Sequence, residues 1–547
     1  MKIRNIIHFF LIMIGLILFC RCKLTNVFIT VLISVAYKVE ENLLLIVCLI
    51  LFVVLCLHFR LILVKKSCDV PGPFAWPLVG HYWQLQRQPF EMARQLAQSY
   101  GPVLRLQFGS EAVVVLNDRD IIRRAFASRT FSDRPNWMSM KLQNETDGRF
   151  AFRPYGCHWR YLRKSTVDAL TLLRNKSADH LQAYCQQALR QLFSNLDQLN
   201  GRPVDPAELL SRFFLHAVGK IAFGEQGVDV QDPDVEQIFF QSPPQIQQLS
   251  RIGNFVDCFP RLCWLYRNTI KLAKQVNRQF DQFVSAKVDQ NEKNAHHLSN
   301  TQSISSLADA LLLLTKQQQQ SDQSQQHPAK YAIVDALGAG LATSTSTALW
   351  AVLMLAKLPD VQQKLKQELD LLNLTTDHDD DDHEPLLTME HRPRLIYAEA
   401  FLNEVLRFGS VLPFAIPHAT VSNATLDCHH IAQGVPVLGN LWAVHHDQTL
   451  FPDPMTFNPD RFIRPTDGTL NRQLLANVIP FSTGTRRCPG EFLARQNLFL
   501  LIINLTKRFQ IQQPFSHFHR HNYDVTKFQF NFTRKPMPFQ VRFIPWK

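Results

Sequence analysis

The chain has 547 residues, 46% of them hydrophobic and 19% charged, a balance that supplies a sizeable buried core and excludes an intrinsically disordered protein. Its formal net charge of +12 comes without any nucleic-acid-binding module, so an anionic membrane surface and an acidic protein partner explain it better than nucleic acid. The cysteines number 11, odd, with no Cys-x-x-Cys pair and no His-Glu-x-x-His in the chain, which reads as a reduced, cytosol-facing domain and gives a zinc site little support.

In chain order, Leu43 to Val64 is apolar except for His58 and Arg60, long enough to cross a hydrocarbon core of about 30 Å. Lys65 and Lys66 follow at once and place everything after them on the cytoplasmic side. The run is too long and too far from the start for a cleaved signal peptide. Ile6 to Cys20 and Leu24 to Tyr37 are apolar as well, compatible with a second span, an interfacial segment or a misplaced start codon.

Pro71, Pro73 and Pro77 stiffen the next stretch, which suits a joint between a membrane helix and a globular body. Val103 to Phe108 and Ala112 to Leu116 read as a hairpin around Gly109, and helical pattern then dominates to about Phe280. Trp159 and Arg163, four apart, share a helix face and are suited to hold a carboxylate. The glutamine tract Gln317 to Gln326 and the acidic tract Asp377 to Glu384 lack apolar residues to bury and are expected as solvated loops.

Asp335 to Leu349 is helical and rich in small residues, Gly338 and Gly340 among them, which suits close approach of the backbone to a flat ligand. Leu395 to Phe408 is a further helix, opened by Pro393 and stopped by Gly409, with Glu404 and Arg407 on one face. Last comes Phe481-Ser482-Thr483-Gly484-Thr485-Arg486-Arg487-Cys488-Pro489-Gly490, leading into a helix that closes with Lys507 and Arg508. A cysteine that serves as an iron ligand must be a thiolate; here it has two arginines, two glycines for a close backbone turn, an aromatic cover in Phe481 and a helix N-terminus. A buried free cysteine is the bland alternative for a lone residue.

Phe481, Gly484, Arg486, Cys488 and Gly490 together make a pattern that resembles the haem-thiolate loop of the cytochrome P-450 family, and the likeness runs from about Pro71 to the C-terminus. The resemblance implies a mainly α fold with small β-sheets. It would be a single large domain at 81–547, behind an N-terminal hydrophobic region at 1–66 with its transmembrane anchor at 43–64 and a proline-rich hinge at 67–80. It implies haem b ligated through Cys488, with Trp159, Arg163, His418 and Arg486 reaching the propionates and Arg134 a further candidate. Glu404, Arg407 and Arg461 resemble the family's structural Glu-Arg-Arg triad.

One departure stands out. Where the family has Ala-Gly-x-acid-Thr, this chain has Ala339-Gly340-Leu341-Ala342-Thr343, so the acid is missing. Thr343 or Ser344, depending on where an inserted residue is placed, takes the position of the catalytic hydroxyl; bonding back to the helix is the equal alternative for both.

The segment from Glu404 to Thr420 looks closest to steroid-hydroxylating and aromatic-hydrocarbon-oxidising members. The resemblance therefore implies an endoplasmic-reticulum monooxygenase, fed electrons from NADPH through a reductase, that inserts one oxygen atom into a lipophilic molecule. A reductase-independent isomerase or dehydratase acting on peroxides, and a non-catalytic haem or ligand binder, remain the two alternatives. The ligand pocket is expected around Trp137, Ile238 to Ile252, Gly338 to Thr343, Val411 to Phe414 and Phe528 to Phe532. Arg160, Lys164, Arg487 and Arg495 are expected to form a basic face for the reductase.

Overall fold

A computed structural model describes residues 47–54, 68–144, 149–241, 244–294, 304–318, 328–372, 385–514 and 523–546. The chain divides into two units, 1–64 and 65–547. In the first, residues 47–54 are helical. The rest of the expected span, the apolar stretches before it, most of the glutamine tract and the whole acidic tract lie outside the described residues.

The second unit is mainly helical with four small sheets among the described residues. Strands Val103–Phe108 (β1) and Glu111–Leu116 (β2) pair antiparallel with Leu106 opposite Val113. The turn between them needs Gly109, which has φ 59° and lies so close to the Cys258 carbonyl that a side chain would collide with it. Val113, Val114, Val115 and Leu116 are all buried, which explains why this strand is continuously apolar rather than alternating. Pro436–Gly439 (β4) joins β2 in parallel and His418–Ala419 (β3) pairs with β4, giving the order β1-β2-β4-β3.

The proline-rich stretch is attached to this sheet. Arg105 N donates to Pro71 O at 2.7 Å, a side chain on Gly72 would strike the Arg105 carbonyl, and Gly80 bridges to Phe108. Residues 71–80 thus cover a sheet edge as part of the body, where a spacer would stand clear of it.

Helix Pro328–Lys357 runs through the centre. By length and composition it could cross a membrane, yet 72% of its most apolar window is buried inside the unit, so its apolar surface is core. Packed around it are Cys157–Lys176, Pro206–Phe223, Arg267–Asn294, Leu307–Gln318, Ile396–Gly409 and Glu491–Arg508; in chain order these seven are α1 (Cys157–Lys176), α2 (Pro206–Phe223), α3 (Arg267–Asn294), α4 (Leu307–Gln318), α5 (Pro328–Lys357), α6 (Ile396–Gly409) and α7 (Glu491–Arg508).

The missing side chain of Gly340 faces Val218 of α2, 3.4 Å away, and that of Gly338 faces Phe280 of α3, 3.8 Å away, so a Cβ at either would make only ordinary contact and helix packing does not require glycine there. Helix α6 ends because Ser410 takes a left-handed conformation at φ 36°, with Gly409 still helical. Gly409 is small for another reason, since a Cβ there would press on Trp350 at 3.1 Å.

Candidate active site

The Cys488 loop is built before the helix that follows it. Cys488 N donates to Phe481 O at 3.0 Å, closing the loop. Gly484 has φ 74° and sits against the Phe126 carbonyl, which a side chain would strike, so glycine is required there on both counts. Thr485 Oγ1 shares a 2.6 Å hydrogen bond with Ser132 Oγ. Cys488 is exposed by area yet lies deep in the protein, because its open surface faces an internal cavity. Burial raises the thiol pKa, while the Gly490 N–H and the Arg163 and Arg487 charges oppose that rise.

The same cavity is lined by Phe481, Gly490, Trp159, Arg163, Arg134, Arg486 and His418; of the predicted cofactor-binding residues Gly484 alone is absent from the lining, packed instead against Phe126. Arg486 donates to the carbonyls of Ser132 (2.9 Å), Phe150 (3.2 Å) and Arg153 (2.8 Å), and its guanidinium stacks on Trp159 at 4.0 Å. Arg134 donates to the carbonyls of Ala151 and Pro417, and Arg163 to that of Arg487. Burial lowers the pKa of all three, and their mutual repulsion adds to it at Arg134 and Arg486. A guanidinium does not give up its proton near neutrality, so the wall carries clustered positive charge, which the Asp133 carboxylate offsets only in part at Arg134 and Arg486.

Trp159 Nε1 is buried and has no hydrogen-bond partner among the described residues. A side chain on Gly490 would meet open space. His418 donates through Nδ1 to Phe131 O at 2.6 Å and stacks on Phe126 at 3.7 Å; burial, with Arg134 adding to it, keeps the ring neutral. An anion placed beside it would raise its pKa.

On the facing wall α5 presents Asp335, Ala336, Ala339, Gly340, Thr343, Ser344 and Thr347. Thr343 Oγ1 donates back to Ala339 O at 2.7 Å and Thr347 Oγ1 to Thr343 O at 2.9 Å. The Ser344 hydroxyl, buried on the same wall, bonds to none of the described residues. Of the expected pocket lining, Gly340, Thr343, Val411 and Leu412 are on the cavity wall. Trp137 is elsewhere, stacked on Phe108 with its Nε1 donating to Glu111 at 2.6 Å, and Phe528 and Phe530 pack on Phe90. The described residues of the stretch 238–252 are also off the wall.

Behind the loop, Arg407 binds Glu404 through two hydrogen bonds of 2.7 and 2.8 Å and gives its remaining donors to the carbonyls of His445, Pro454 and Thr456. Arg461 Nε joins the same carboxylate at 3.2 Å. Sequence reasoning missed the next link. His445 Nε2 accepts from Ile479 N at 2.9 Å, its Nδ1 bonds Ser410 Oγ at 2.8 Å, and Ile479 leads directly into Pro480 and Phe481. His445 thereby ties the charged network to the cysteine loop. Only its nearness in sequence to Phe457 to Phe462 hinted at it.

The family model described as Cytochrome P450 matches residues 70–543. The chain belongs to the cytochrome P450 family. It is 30% identical to cytochrome P450 1A1 of Cavia porcellus over 478 residues, covering 85% of this chain and 89% of the relative. To human cytochrome P450 1B1 it is 29% identical over 493 residues, 86% of each chain. A zebra fish cytochrome P450 solved with progesterone is similar in structure, with a TM-score of 0.69 and 25% identity over 84% of this chain and 99% of that one. As a P450 the protein is a haem-thiolate oxidoreductase of the monooxygenase type. The cavity fits such a group on its own evidence: a sulfur at one wall, an indole N–H with no partner among the described residues, three guanidinium groups with Asp133 as the one anion acting on them among the described carboxylates, and open space at Gly490.

Of the expected basic face, Arg160 and Lys164, both on α1, and Arg487 are exposed and Arg495 is half-buried. Arg495 is committed to Glu491 (3.0 Å) and Asn403 (3.1 Å), and Arg487 also pairs with Glu491, at 2.6 Å.

Proposed function

We propose that the protein inserts one oxygen atom from O2 into a lipophilic small molecule, steroid-like or xenobiotic, with electrons from NADPH delivered through a reductase. The observation that carries this reading is the Cys488 sulfur opening into a mostly apolar cavity whose rim holds Trp159, Arg134, Arg163 and Arg486. In this reading Cys488 ligates the iron, while Trp159, Arg163, Arg486 and, once an anion is beside it, His418 hold the propionates. When bound, the haem supplies the oxygen chemistry, tuned by the electron density of a thiolate ligand.

The chain's own residues do the remaining work. Leu170, Val218, Ile221, Leu406, Val411 and Leu412 exclude water and select an apolar ligand. The Ser344 hydroxyl is free to donate, whereas that of Thr343 has its proton on Ala339 O and presents a lone pair, so the two can hold one water between them. Arg160 and Lys164 are proposed to form the reductase-facing surface. Endoplasmic-reticulum membrane attachment fits the apolar N-terminal region and an exposed aromatic surface on the second unit: Phe74, Trp76, Leu78 and Trp83 beside Leu262, Trp264 and Leu265.

A second reading keeps a specific footing. Ala342 in place of an acid fits a haem-thiolate isomerase or dehydratase that rearranges peroxides without a reductase. Expression with a reductase and NADPH, followed by a screen of lipophilic compounds for oxygenated products, separates the two. Product formed only with NADPH and reductase is expected; peroxide rearrangement in their absence would replace the proposal with the isomerase. Cys488→Ala is expected to remove the red-shifted Soret band of the reduced, carbon-monoxide-bound protein, and a variant that keeps the band would refute the ligand assignment.

A further inference from the structure

The proposed reaction needs protons at the α5 hydroxyls, and position 342 supplies none. Two turns before Thr343 a carboxyl group lies in the same cavity. We propose that Asp335 is the proton source for the oxygen site, a displaced substitute for the acid that this chain lacks at Ala342. The inference rests on the monooxygenase reading above.

Three observations carry it. First, Asp335 is the only carboxylate residue among the described residues lining the cavity, and its residue exposure is 8%. Second, Asp335, Ala339, Thr343 and Thr347 follow one another at four-residue intervals and all line that cavity. The distance along the axis from Asp335 to Thr343 is about 12 Å, and the residues lining the wall between them are Ala336, Ala339 and Gly340, which leave space for a short file of water. Third, Arg149 and Asp281, from the segment before Phe150 and from α3, are the charged groups that act on it; they form a 2.7 Å ion pair in which Asp281 is 16% exposed, and reprotonation is assigned to this side.

The proton bookkeeping is simple. The Asp335 carboxyl gives one proton to the water file, which hands it on at Ser344 Oγ or Thr343 Oγ1, and the resulting carboxylate takes one back from bulk water past Asp281. No oxidant or reductant is involved in this transfer. Burial raises the Asp335 pKa to about 7 against the hydrogen bonds from the Ala151 and Phe150 N–H groups, so the acid form is present at neutral pH and is lost as pH rises above that value.

A purely structural role is the competing account, because Asp335 Oδ2 accepts from Ala151 N at 3.1 Å and so ties that segment to α5. Asp335→Asn keeps an acceptor for this N–H and removes the acid. In full-length protein with reductase, this variant is expected to yield about tenfold less product per NADPH, with the missing electrons recovered as hydrogen peroxide. Its coupling should no longer fall between about pH 6 and pH 8 as that of the wild type does. Adding Ala342→Asp to Asp335→Asn is expected to restore coupling.

A readout independent of turnover is the infrared difference spectrum of the resting protein across the same pH range. A protonated-carboxyl band that titrates near neutrality should be present in the wild type and absent in Asp335→Asn. An Asp335→Asn variant that couples like the wild type at every pH would overturn the inference alone, as would a pH-independent loss that Ala342→Asp does not relieve. A wild type with no NADPH-driven product removes the monooxygenase reading, and this inference with it.

Discussion

His445 shows how one side chain sets both the geometry of the cysteine loop and the pH range of the protein. Its Nε2 must keep a lone pair for the Ile479 N–H, and protonation there would set two donors against each other. Burial, with the Arg407 charge adding to it, holds its pKa down to about 3. The folded-state pKa lies below the unfolded one, so the stabilisation is present above about pH 6.5 and drains away as pH falls toward the folded value, because the unfolded chain takes up a proton that the native state refuses. His445→Ala is expected to cost about 1–3 kcal/mol at neutral pH by stranding the Ile479 N–H, and to flatten the acid side of the stability profile in thermal melts. An unchanged melting temperature at both ends of that range would show that the link is idle. At this scale the sequence was readable where contacts are local, as in Phe481 to Gly490. It was silent on His445 and Ile479, whose partnership depends on how the chain between them returns.

Helix α1 carries the clearest division of labour among the elements. Trp159 and Arg163 face the cavity, while Arg160 and Lys164 point outward, as the helical repeat requires. Arg160→Glu with Lys164→Glu is expected to slow reductase-driven haem reduction several-fold at low salt, with the difference shrinking at high salt and ligand binding unchanged. Equal rates at every ionic strength would move the docking face elsewhere. Periodicity made this helix legible, and the hairpin around Gly109 was legible from two apolar runs flanking a glycine. The role of Gly409 was not, because a glycine states that something comes close and only the packing says what: here it is the Trp350 side chain, 3.1 Å from where a Cβ would stand.

On the scale of the whole molecule, the proline-rich stretch belongs to the body, so removing residues 1–66 leaves the sheet edge covered by 71–80. The shortened protein is expected to keep its haem spectrum and still bind anionic lipid vesicles through Trp76, Trp83 and Trp264, which are 62, 70 and 62% exposed. Changing these three to serine in that protein should abolish vesicle binding with the spectrum intact; binding that persists would place the contact on another surface. The mainly helical class was legible through the family resemblance of the cysteine loop, whereas most of the cavity lining was not legible, since helices distant in sequence supply it. The buried guanidinium groups of Arg134, Arg163 and Arg486 have a consequence for the cell. Without a dianion between them they repel one another inside the fold, so the apoprotein is the less stable form and each bound cofactor adds stability by mass action. Steady-state abundance of the protein should then follow the supply of haem, with unfilled chains cleared by proteolysis before they accumulate.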